Sequence, residues 1–432
     1  MKKGIITIIA LLVLTIPTFA QQPEQPQTFG LTLSGYVKAD VFYDSRQEAK
    51  GREGEFELYP SAKSLDANGN DLNAIGDFNI LSVQSRLTGK ITAPDFLGAK
   101  STGLFEGEFF GTSDADVNGF RLRLGYVNLN WNNSTQLLVG QAWHPLFITD
   151  ASPATVSYNT GTPFKTLSRN PQIKITQAIN PNVNISLAFI SERDFQSTGP
   201  TSGTTLTNIA TSTSSTVFAQ DAVVPNTDLQ IAYRDENFVL AATGDYKVLE
   251  PLQSVIGHNG KIYKTTETIS STVGQLTAKY KTTDWSATIE GIYAQSPISQ
   301  YLIGGYAIKS LDTSSTNGSV SYTNFNTVSF WTDLVYGKEY QFGLFAGYTE
   351  NLGTSDNVTT STLYSYGRGL NIKDIYRVSP RFALNFGKTR FAWELEYTSA
   401  SYGTNNAKDK EKVINTYSVS SLRALFGAYI FF

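Results

Sequence analysis

Apolar and polar residues alternate with a period of two along most of this 432-residue chain, and this pattern most limits what the chain can form. In one such segment, Leu81, Val83 and Leu87 fall on one face, whereas Gln84 and Arg86 fall on the other. Because successive side chains of a strand point to opposite faces, the pattern predicts strands with one apolar and one polar face. After residue 20, no stretch approaches the ~20 apolar residues that a membrane helix needs. The chain is therefore predicted to be all-β.

The connections between the predicted strands alternate between short and long. Alternation places about sixteen strands near residues 30–43, 77–92, 101–111, 119–131, 135–141, 171–178, 183–192, 228–234, 238–247, 270–280, 285–294, 321–336, 340–350, 374–388, 390–402 and 415–432. Most reach the roughly 9–11 residues that a tilted strand needs to cross a bilayer. Short turns at one rim and long loops at the other are typical of outer-membrane barrels. The sequence therefore predicts a transmembrane antiparallel β-barrel in the outer membrane of a Gram-negative bacterium, with short periplasmic turns, long extracellular loops and both termini periplasmic.

The N-terminus has the features of a secretory signal peptide. A basic start, a short apolar core and an A-x-A-like site that ends at Ala20 follow one another. We therefore predict a signal peptide over 1–20, a flexible polar lead-in over 21–29 and a single barrel domain over 30–432.

The composition argues against several classes of chemistry. The chain has no cysteine, and its net charge of −3 implies no polybasic surface for a nucleic acid. A serine hydrolase built on a barrel needs a histidine on the wall facing a serine, whereas His144 and His258 both fall in predicted loops. We therefore expect no enzymatic activity and no cofactor.

The chain ends on an apolar alternating run that reads as a closing strand. A closed barrel has no free edge, so this strand is expected to pair with the first one. The ending also resembles the signal read by the outer-membrane assembly machinery, with Gly427, Ile430 and Phe432 in the matching positions. Leu425 departs from that pattern, which usually has a polar residue two positions before the glycine.

Two further stretches resemble DcaP-like porins and related members of the general porin superfamily. One is "SGYVKADVFYD" at Ser34–Asp44, followed by "SRL" at Ser85–Leu87, and the other is "FRLRLGYVNLNWNNSTQLLVGQAWHPLF" at Phe120–Phe147. The resemblance implies a homotrimer of sixteen-stranded barrels in which the third extracellular loop folds into the pore as a constriction. That loop is 142–170 in this chain. Family substrates tend to be small and often anionic solutes.

Charged residues on the polar faces are the candidates for a pore lining. Parity places the following side chains inside the barrel: Lys38, Asp40, Arg86, Lys90, Glu106, Glu108, Arg121, Arg123, Glu290, Arg377, Arg381, Glu394, Glu396 and Arg423. Charged rings in a narrow pore bias ion selectivity. The alternative is that acidic and basic strands pair with each other and stiffen the wall, and the two roles are compatible.

Three local features carry further hypotheses. The loop over 142–170 offers constriction candidates, with an ordinary surface loop as the alternative; they are His144, Asp150, Lys165 and Arg169. The segment from Asp66 to Asp77 has oxygen ligands spaced as in calcium loops, with an Asx-rich turn as the alternative; they are Asp66, Asn68, Asn70 and Asp77. Asn128 and Asn130 share parity with Leu122 and Leu124, an irregularity that indicates an interface or a bulge.

The sequence as a whole predicts a porin through which small hydrophilic solutes diffuse passively, with outer-membrane lipids around the barrel. The alternatives are a substrate-specific channel for oligosaccharides or dicarboxylates and a structural or adhesive barrel with a filled lumen. The 23 Tyr and 26 Phe suit interfacial girdles, although a sugar slide also uses aromatic residues.

Overall fold

Sixteen antiparallel strands close into a barrel in the computed structural model, which describes residues 29–132, 134–201 and 209–432. The strands are β1 (Gly30–Asp44), β2 (Arg86–Phe96), β3 (Ala99–Phe109), β4 (Phe120–Trp131), β5 (Thr135–Trp143), β6 (Arg169–Ala178), β7 (Val183–Ile190), β8 (Asn226–Arg234), β9 (Phe238–Leu249), β10 (Ile269–Lys281), β11 (Trp285–Gln295), β12 (Ser319–Tyr336), β13 (Tyr340–Thr354), β14 (Ile372–Phe386), β15 (Thr389–Asn406) and β16 (Lys412–Phe431). The predicted fold class and strand count are confirmed. The predicted signal peptide over 1–20 and nearly all of the lead-in over 21–29 lie outside the described residues.

Each strand pairs with its neighbour in the chain, and β16 returns to β1. The β1–β16 ladder runs from Tyr36 opposite Phe431 to Asp44 opposite Arg423. The terminal residue extends it, because Gly35 and Phe432 exchange two backbone hydrogen bonds of 3.2 and 3.1 Å. The described ladder thus closes the sheet from Gly35 to Asp44, while the residues of β1 before Gly35 extend beyond Phe432 and pair with β2 alone. Such closure satisfies the backbone groups of the seam, as a hydrocarbon environment requires.

The prediction of one continuous strand over 77–92 is wrong, because the strand is interrupted between Leu81 and Arg86. Asp77–Leu81 pairs with the second half of β1, and β2 pairs with the first half. Ser85 lies in the break, where its hydroxyl accepts the backbone N–H of Lys38 at 3.1 Å. The Ser85 side chain thus replaces one backbone acceptor of the ladder, so the Lys38 N–H stays bonded where the strand is interrupted.

The irregular alternation in β4 arises from a β-bulge, which is one of the two predicted explanations. Glu106 of β3 opposes Leu124 and the adjacent Gly107 opposes Leu122, so Arg123 is the extra residue. Arg123 and Leu124 are both buried, whereas Leu122 is exposed on the outer surface. The bulge shifts the alternation by one residue. Arg121 before it and Asn128 and Asn130 after it can therefore all face the lumen.

The two faces of the wall differ in polarity as the alternation predicts. Large apolar side chains such as Leu276, Ile289 and Phe330 are exposed on the outside. Their strand neighbours Gln275 and Glu290 point inward and are buried. An apolar outer band around a polar interior is the signature of a membrane-spanning barrel. In the described part of the chain, no helix combines the length and the apolar character needed to cross a membrane.

Short turns lie at one rim of the barrel and long connections lie at the other. The turns include 97–98, 235–237 and 387–388, and the long connections include 45–85 and 144–168. Both described ends of the barrel lie at the short-turn rim, because Gly30 pairs with the end of β2 and Phe431 with the start of β1.

The lumen contains an apolar cluster that the sequence pattern did not predict. Phe56 and Tyr158, which come from two different long connections, pack edge to face with ring centroids 5.8 Å apart. Phe164 packs against Phe345 of the wall with ring centroids 6.1 Å apart, and the ring of Trp331 lies 6.0 Å from that of Phe345. The long connections therefore fold into the barrel and fill part of it.

The close approach at Gly35 supplies a test of barrel closure. A Cβ at Gly35 lies 2.2 Å from the Arg86 backbone oxygen and 2.9 Å from the Phe432 ring, so Gly35→Ala forces the β1 ladder apart. We expect the free energy of unfolding in detergent, measured by tryptophan fluorescence in denaturant, to fall by about 1–3 kcal/mol. The control is Gly30→Ala on the same strand, where the nearest atom is 3.7 Å away. Equal stability of the two variants contradicts the role of the close approach.

Candidate functional site

An arginine cluster on β2, β3 and β4 surrounds one buried carboxylate. Arg86, Glu108 and Arg121 are neighbours across the three strands, so register alone brings them together. Glu108 has no exposed surface, and its two oxygens lie 3.0 Å from Arg86 and Arg121 and 2.5 Å from Arg123. The hydroxyl of Tyr158, from the connection 144–168, lies 2.9 Å from the same carboxylate.

The cluster extends along the wall and keeps an excess of positive charge. Glu106 accepts a 2.7 Å bond from Arg123, and Arg169 at the start of β6 bonds to Asp194 at 2.7 Å. Asp194 also lies 3.4 Å from Arg121. The described cluster thus brings four guanidinium groups against three carboxylates. The groups are Arg86, Arg121, Arg123 and Arg169 on one side and Glu106, Glu108 and Asp194 on the other.

A second group of predicted lumen charges, on β1 and β14–β16, holds the long connections in place. Its members are at most 6% exposed; they are Lys38, Asp40, Arg377, Arg381, Glu394, Glu396 and Arg423. Arg423 makes a bidentate pair with Asp44 at 2.7 Å and also bonds to the backbone oxygen of Gly54. Arg377 bonds to Glu57 at 3.1 Å and to the Thr162 oxygen at 3.0 Å. These charges fasten loops to the wall rather than face open solvent.

The connection 144–168 crosses the inside of the barrel and bonds to strands on opposite sides. The backbone N–H groups of Val156 and Ser157 both donate to Glu394 of β15. The Leu146 oxygen accepts a 2.8 Å bond from Gln275 of β10. Since those acceptors and donors point inward from distant strands, the segment spans the lumen.

The four constriction candidates occupy different environments. Asp150 is exposed and pairs with Arg234 at 2.6 Å, and Arg169 belongs to β6 rather than to the loop. Lys165 is fully buried, with its Nζ 3.5 Å from the Phe147 ring centroid, and burial lowers its pKa to about 8. Burial, aided by the charges of Lys247 and Lys174, lowers the pKa of His144 to about 3, so its imidazole is neutral at pH 7.

The calcium candidates bond to protein groups instead of converging on a shared centre. Asp66 accepts the backbone N–H groups of Asn68 and Asn70 at 2.8 Å and the Asn70 amide at 3.0 Å. Those hydrogen bonds hold the pKa of Asp66 below its usual value. Asp77 lies in a strand opposite Asp44 and pairs with Lys50. The geometry is that of an Asx turn, the alternative considered for this segment.

Two cavities with charged residues in their lining lie on either side of the arginine cluster. A cavity of about 610 Å³ on the long-connection side is lined by Arg52, Arg121, Arg193, Asp194, Tyr301 and Arg368. A cavity of about 370 Å³ near the short-turn rim is lined by Lys90, Lys100, Thr102, Asn128, Asn130 and Gln136. Lys90 is exposed there, and no described carboxylate pairs with it.

Several partners in these clusters were missed by the sequence analysis. Asp44 shares the parity of Lys38 and Asp40, so extending the same alternation would have placed it inside. Glu57, Asp194 and Tyr158 come from long connections, where no periodicity indicates which way a side chain points.

No protein-family model and no curated protein sequence matches this chain. Among solved structures, the outer-membrane channel DcaP of Acinetobacter baumannii has a similar fold, with a TM-score of 0.64 at 13% identity. The similarity covers 95% of this chain and 99% of that one. The outer-membrane-expressed OmpT of Vibrio cholerae has a TM-score of 0.54 at 12% identity, over 95% of this chain and 100% of that one. The resemblance to DcaP-like porins is thereby confirmed at the level of the fold.

Removal of the carboxylate charge from Glu108 tests whether it organises the arginine cluster. We expect Glu108→Gln to lower the free energy of unfolding by about 3–5 kcal/mol, because buried guanidinium groups lose their counter-charge. Chemical unfolding in detergent measures the change, with Glu236→Gln in an exposed short turn as the control. A Glu108→Gln protein as stable as this control contradicts the assignment.

Proposed function

We propose that this protein is an outer-membrane porin through which small hydrophilic solutes diffuse passively. The observation that carries the proposal is the pair of cavities, each lined in part by basic side chains, on one wall of a closed barrel with the arginine cluster between them. The fold shared with DcaP, which is described as an outer-membrane channel, supports the same function.

The solute path is proposed to follow the wall formed by β2–β6. Arg121 lines the larger cavity and Lys90 the smaller one, while Arg86 lies between them on β2. Arg86 and Glu106 keep 20% and 13% of their side chains exposed, unlike the closed ion pairs on β14–β16. The excess of positive charge along this path favours anions, which a positively lined pore attracts. A substrate-specific channel for anionic solutes such as dicarboxylates is therefore the nearest variant of the proposal.

The connection 144–168 is proposed to be the constriction of the pore. Support comes from its bonds to opposite walls, through Gln275 on one side and Glu394 on the other. A segment held at both sides narrows the free cross-section between them. Size exclusion of solutes then depends on how firmly these bonds hold the segment.

The remaining features of the porin assignment are also proposals. The short-turn rim is assigned to the periplasm, 1–20 to a removed export signal, 21–29 to a flexible lead-in and 30–432 to one domain. Gly427, Ile430 and Phe432 form the proposed signal for the assembly machinery. A homotrimer is supported by the trimer form of in-vitro folded OmpT from Vibrio cholerae, a barrel with a TM-score of 0.54 over 94% of this chain and 100% of that one.

A structural or adhesive barrel is the second candidate, and the apolar cluster in the lumen favours it. Phe56, Phe164 and Phe345 occupy space that water would fill in a wide pore. Conductance of the purified protein in a planar bilayer separates the two functions. Ohmic channel steps are expected for a porin, and a barrel without them is structural.

Lys90 supplies a test of the charge bias. We expect Lys90→Gln to shift the reversal potential in a salt gradient toward cation preference, because an unpaired cation is removed from the proposed path. Lys90→Arg keeps the charge and should leave the potential unchanged, and Lys338→Gln, at an exposed short turn, controls for overall charge. An unchanged potential for Lys90→Gln places the solute path elsewhere.

Glu394 supplies a test of the constriction. Glu394→Ala removes the acceptor for two backbone N–H groups of the segment 144–168, a loss of about 1–3 kcal/mol for each unsatisfied donor. We expect larger and noisier single-channel conductance than in the native protein. Glu339→Ala, in an exposed turn, is the matched control. A native conductance in Glu394→Ala counts against the constriction.

A further inference from the structure

Three residues from separate parts of the chain converge inside the barrel beside β8 and β9. Asp228 of β8 and Asp245 of β9 are direct cross-strand partners, so both carboxylates leave the wall at the same point. His144, the residue that follows β5, reaches the same point from the start of the connection 144–168. This group of three is buried, and its candidate ligand atoms all lie within 4.8 Å of one another.

The distances within the group fit a small metal ion. The Nε2 atom of His144 lies 3.4 Å from Asp228 Oδ2 and 3.9 Å from Asp245 Oδ2. Ligand atoms about 2.1 Å from a tetrahedral ion are roughly 3.4 Å apart. The side-chain amide of Gln300, from the connection 296–318, approaches the same His144 Nε2 at 3.1 Å. The His144 and Asp228 atoms are therefore spaced as two ligands of one tetrahedral ion would be, and Gln300 lies beside the same imidazole nitrogen.

The carboxylates of this group lack the partners that buried charges require. Both oxygens of Asp228, the Oδ2 atom of Asp245 and the Oε1 atom of Gln300 have no hydrogen-bond donor among the described residues. These three residues are at most 6% exposed. An unpaired charge in such a position is strongly unfavourable.

The nearby ammonium group of Lys247 is directed elsewhere. It bonds to the Ser296 oxygen and the Ser299 hydroxyl at 3.0 Å, and it lies 3.7 Å from Glu192. Lys247 and Lys174 act electrostatically on Asp245 and Asp228, but among the described residues no ammonium group forms an ion pair with either aspartate.

We propose that His144, Asp228 and Asp245, completed by the Gln300 side-chain oxygen, bind a divalent transition-metal ion of the Zn²⁺ class. One imidazole and two carboxylates form a donor set that suits Zn²⁺, whereas Ca²⁺ and Mg²⁺ prefer oxygen-only sets with more ligands. Binding through Nε2 moves the imidazole proton to Nδ1, which then gives up the 3.3 Å bond that it accepts from the Leu146 N–H. Turning the Gln300 amide about its terminal bond places its unpartnered Oε1 toward the ion, in place of the Nε2 that faces His144 in this structure.

The proposed ion would join three parts of the barrel at one buried point, in addition to the Asp150–Arg234 ion pair and the bonds of Lys247 to Ser296 and Ser299. It links the beginning of the connection 144–168 to the β8–β9 hairpin and to the connection 296–318. Binding energy at such a site adds directly to the stability of the folded state. The site is therefore a clamp on the segment that crosses the lumen, a role beyond solute diffusion.

The competing explanation is that the two aspartates share a proton instead of a metal. Two carboxylates in contact cannot both remain ionised without a counter-charge, and one of them then holds the proton. This arrangement needs no metal and predicts no metal affinity, so a binding measurement distinguishes the two.

The test uses the full-length protein in detergent, stripped with a chelator and titrated with Zn²⁺ against a competing indicator. We expect one Zn²⁺ per chain and a rise in the thermal unfolding midpoint on loading. Co²⁺ at the same site should show the strong visible absorption of four-coordinate cobalt.

Two variants and a control identify the ligands. His144→Asn and Asp228→Asn should each weaken Zn²⁺ binding by more than the roughly 10–100-fold typical of changes outside the ligand set. His258→Asn removes the other histidine, which is exposed in a long connection, and should bind as the native protein does. Asp228→Asn also removes a buried charge, so it should remain folded without metal and lose only the Zn²⁺-dependent rise in midpoint.

Any of three results overturns the proposal. They are a native protein that binds no Zn²⁺ after stripping, a His144→Asn protein that binds it as tightly as the native one, and a His258→Asn protein that loses the binding. None of these results depends on whether the protein conducts solutes, so the clamp and the porin function fail or stand separately.

Discussion

Backbone hydrogen bonding between the first and last strands is the constraint on which the rest of this structure depends. In a hydrocarbon environment an unpaired N–H or C=O group costs several kcal/mol, so a sheet is stable there only when it closes. The pairing of Gly35 with Phe432 carries the closure to the last residue of the chain. Gly35 meets this requirement because its strand lies too close to Arg86 for any side chain.

Closure creates an interior, and two different solutions stabilise the charges in it. On β1 and β14–β16, buried ions such as Arg377 and Glu394 bond to the connections that fold inward, so charge is used to position backbone. On β2–β4, guanidinium groups gather around Glu108, and one of them, Arg121, also lines the larger of two neighbouring cavities. The barrel therefore has one wall that carries loops and one wall on which charge is still accessible.

The alternation of apolar and polar residues predicted the strands and their inward faces, but it did not predict where a strand is interrupted or bulged. All sixteen strands were predicted, and parity placed Lys38, Glu108 and Arg423 on the face that points into the barrel. This works because residues i and i+2 of a strand lie on the same face. The prediction over 77–92 missed the interruption, because Ser85 replaces a backbone bond without disturbing the apolar pattern. In β4 the shared parity of Asn128 and Asn130 with Leu122 and Leu124 indicated an interface or a bulge, and the pairing with β3 showed that it is a bulge at Arg123.

The barrel, its two faces and the strand that closes it follow from a local period of two, so they can be predicted from the sequence. Which charges meet depends on the closed fold, since Arg377 bonds to Glu57 and Glu394 bonds to Val156 across more than two hundred residues. The same holds for His144, Asp228 and Asp245, where a loop residue meets two strands that lie about eighty or more residues further along the chain. Long connections carry no periodic signal, and their direction is set by the closed wall into which they fold.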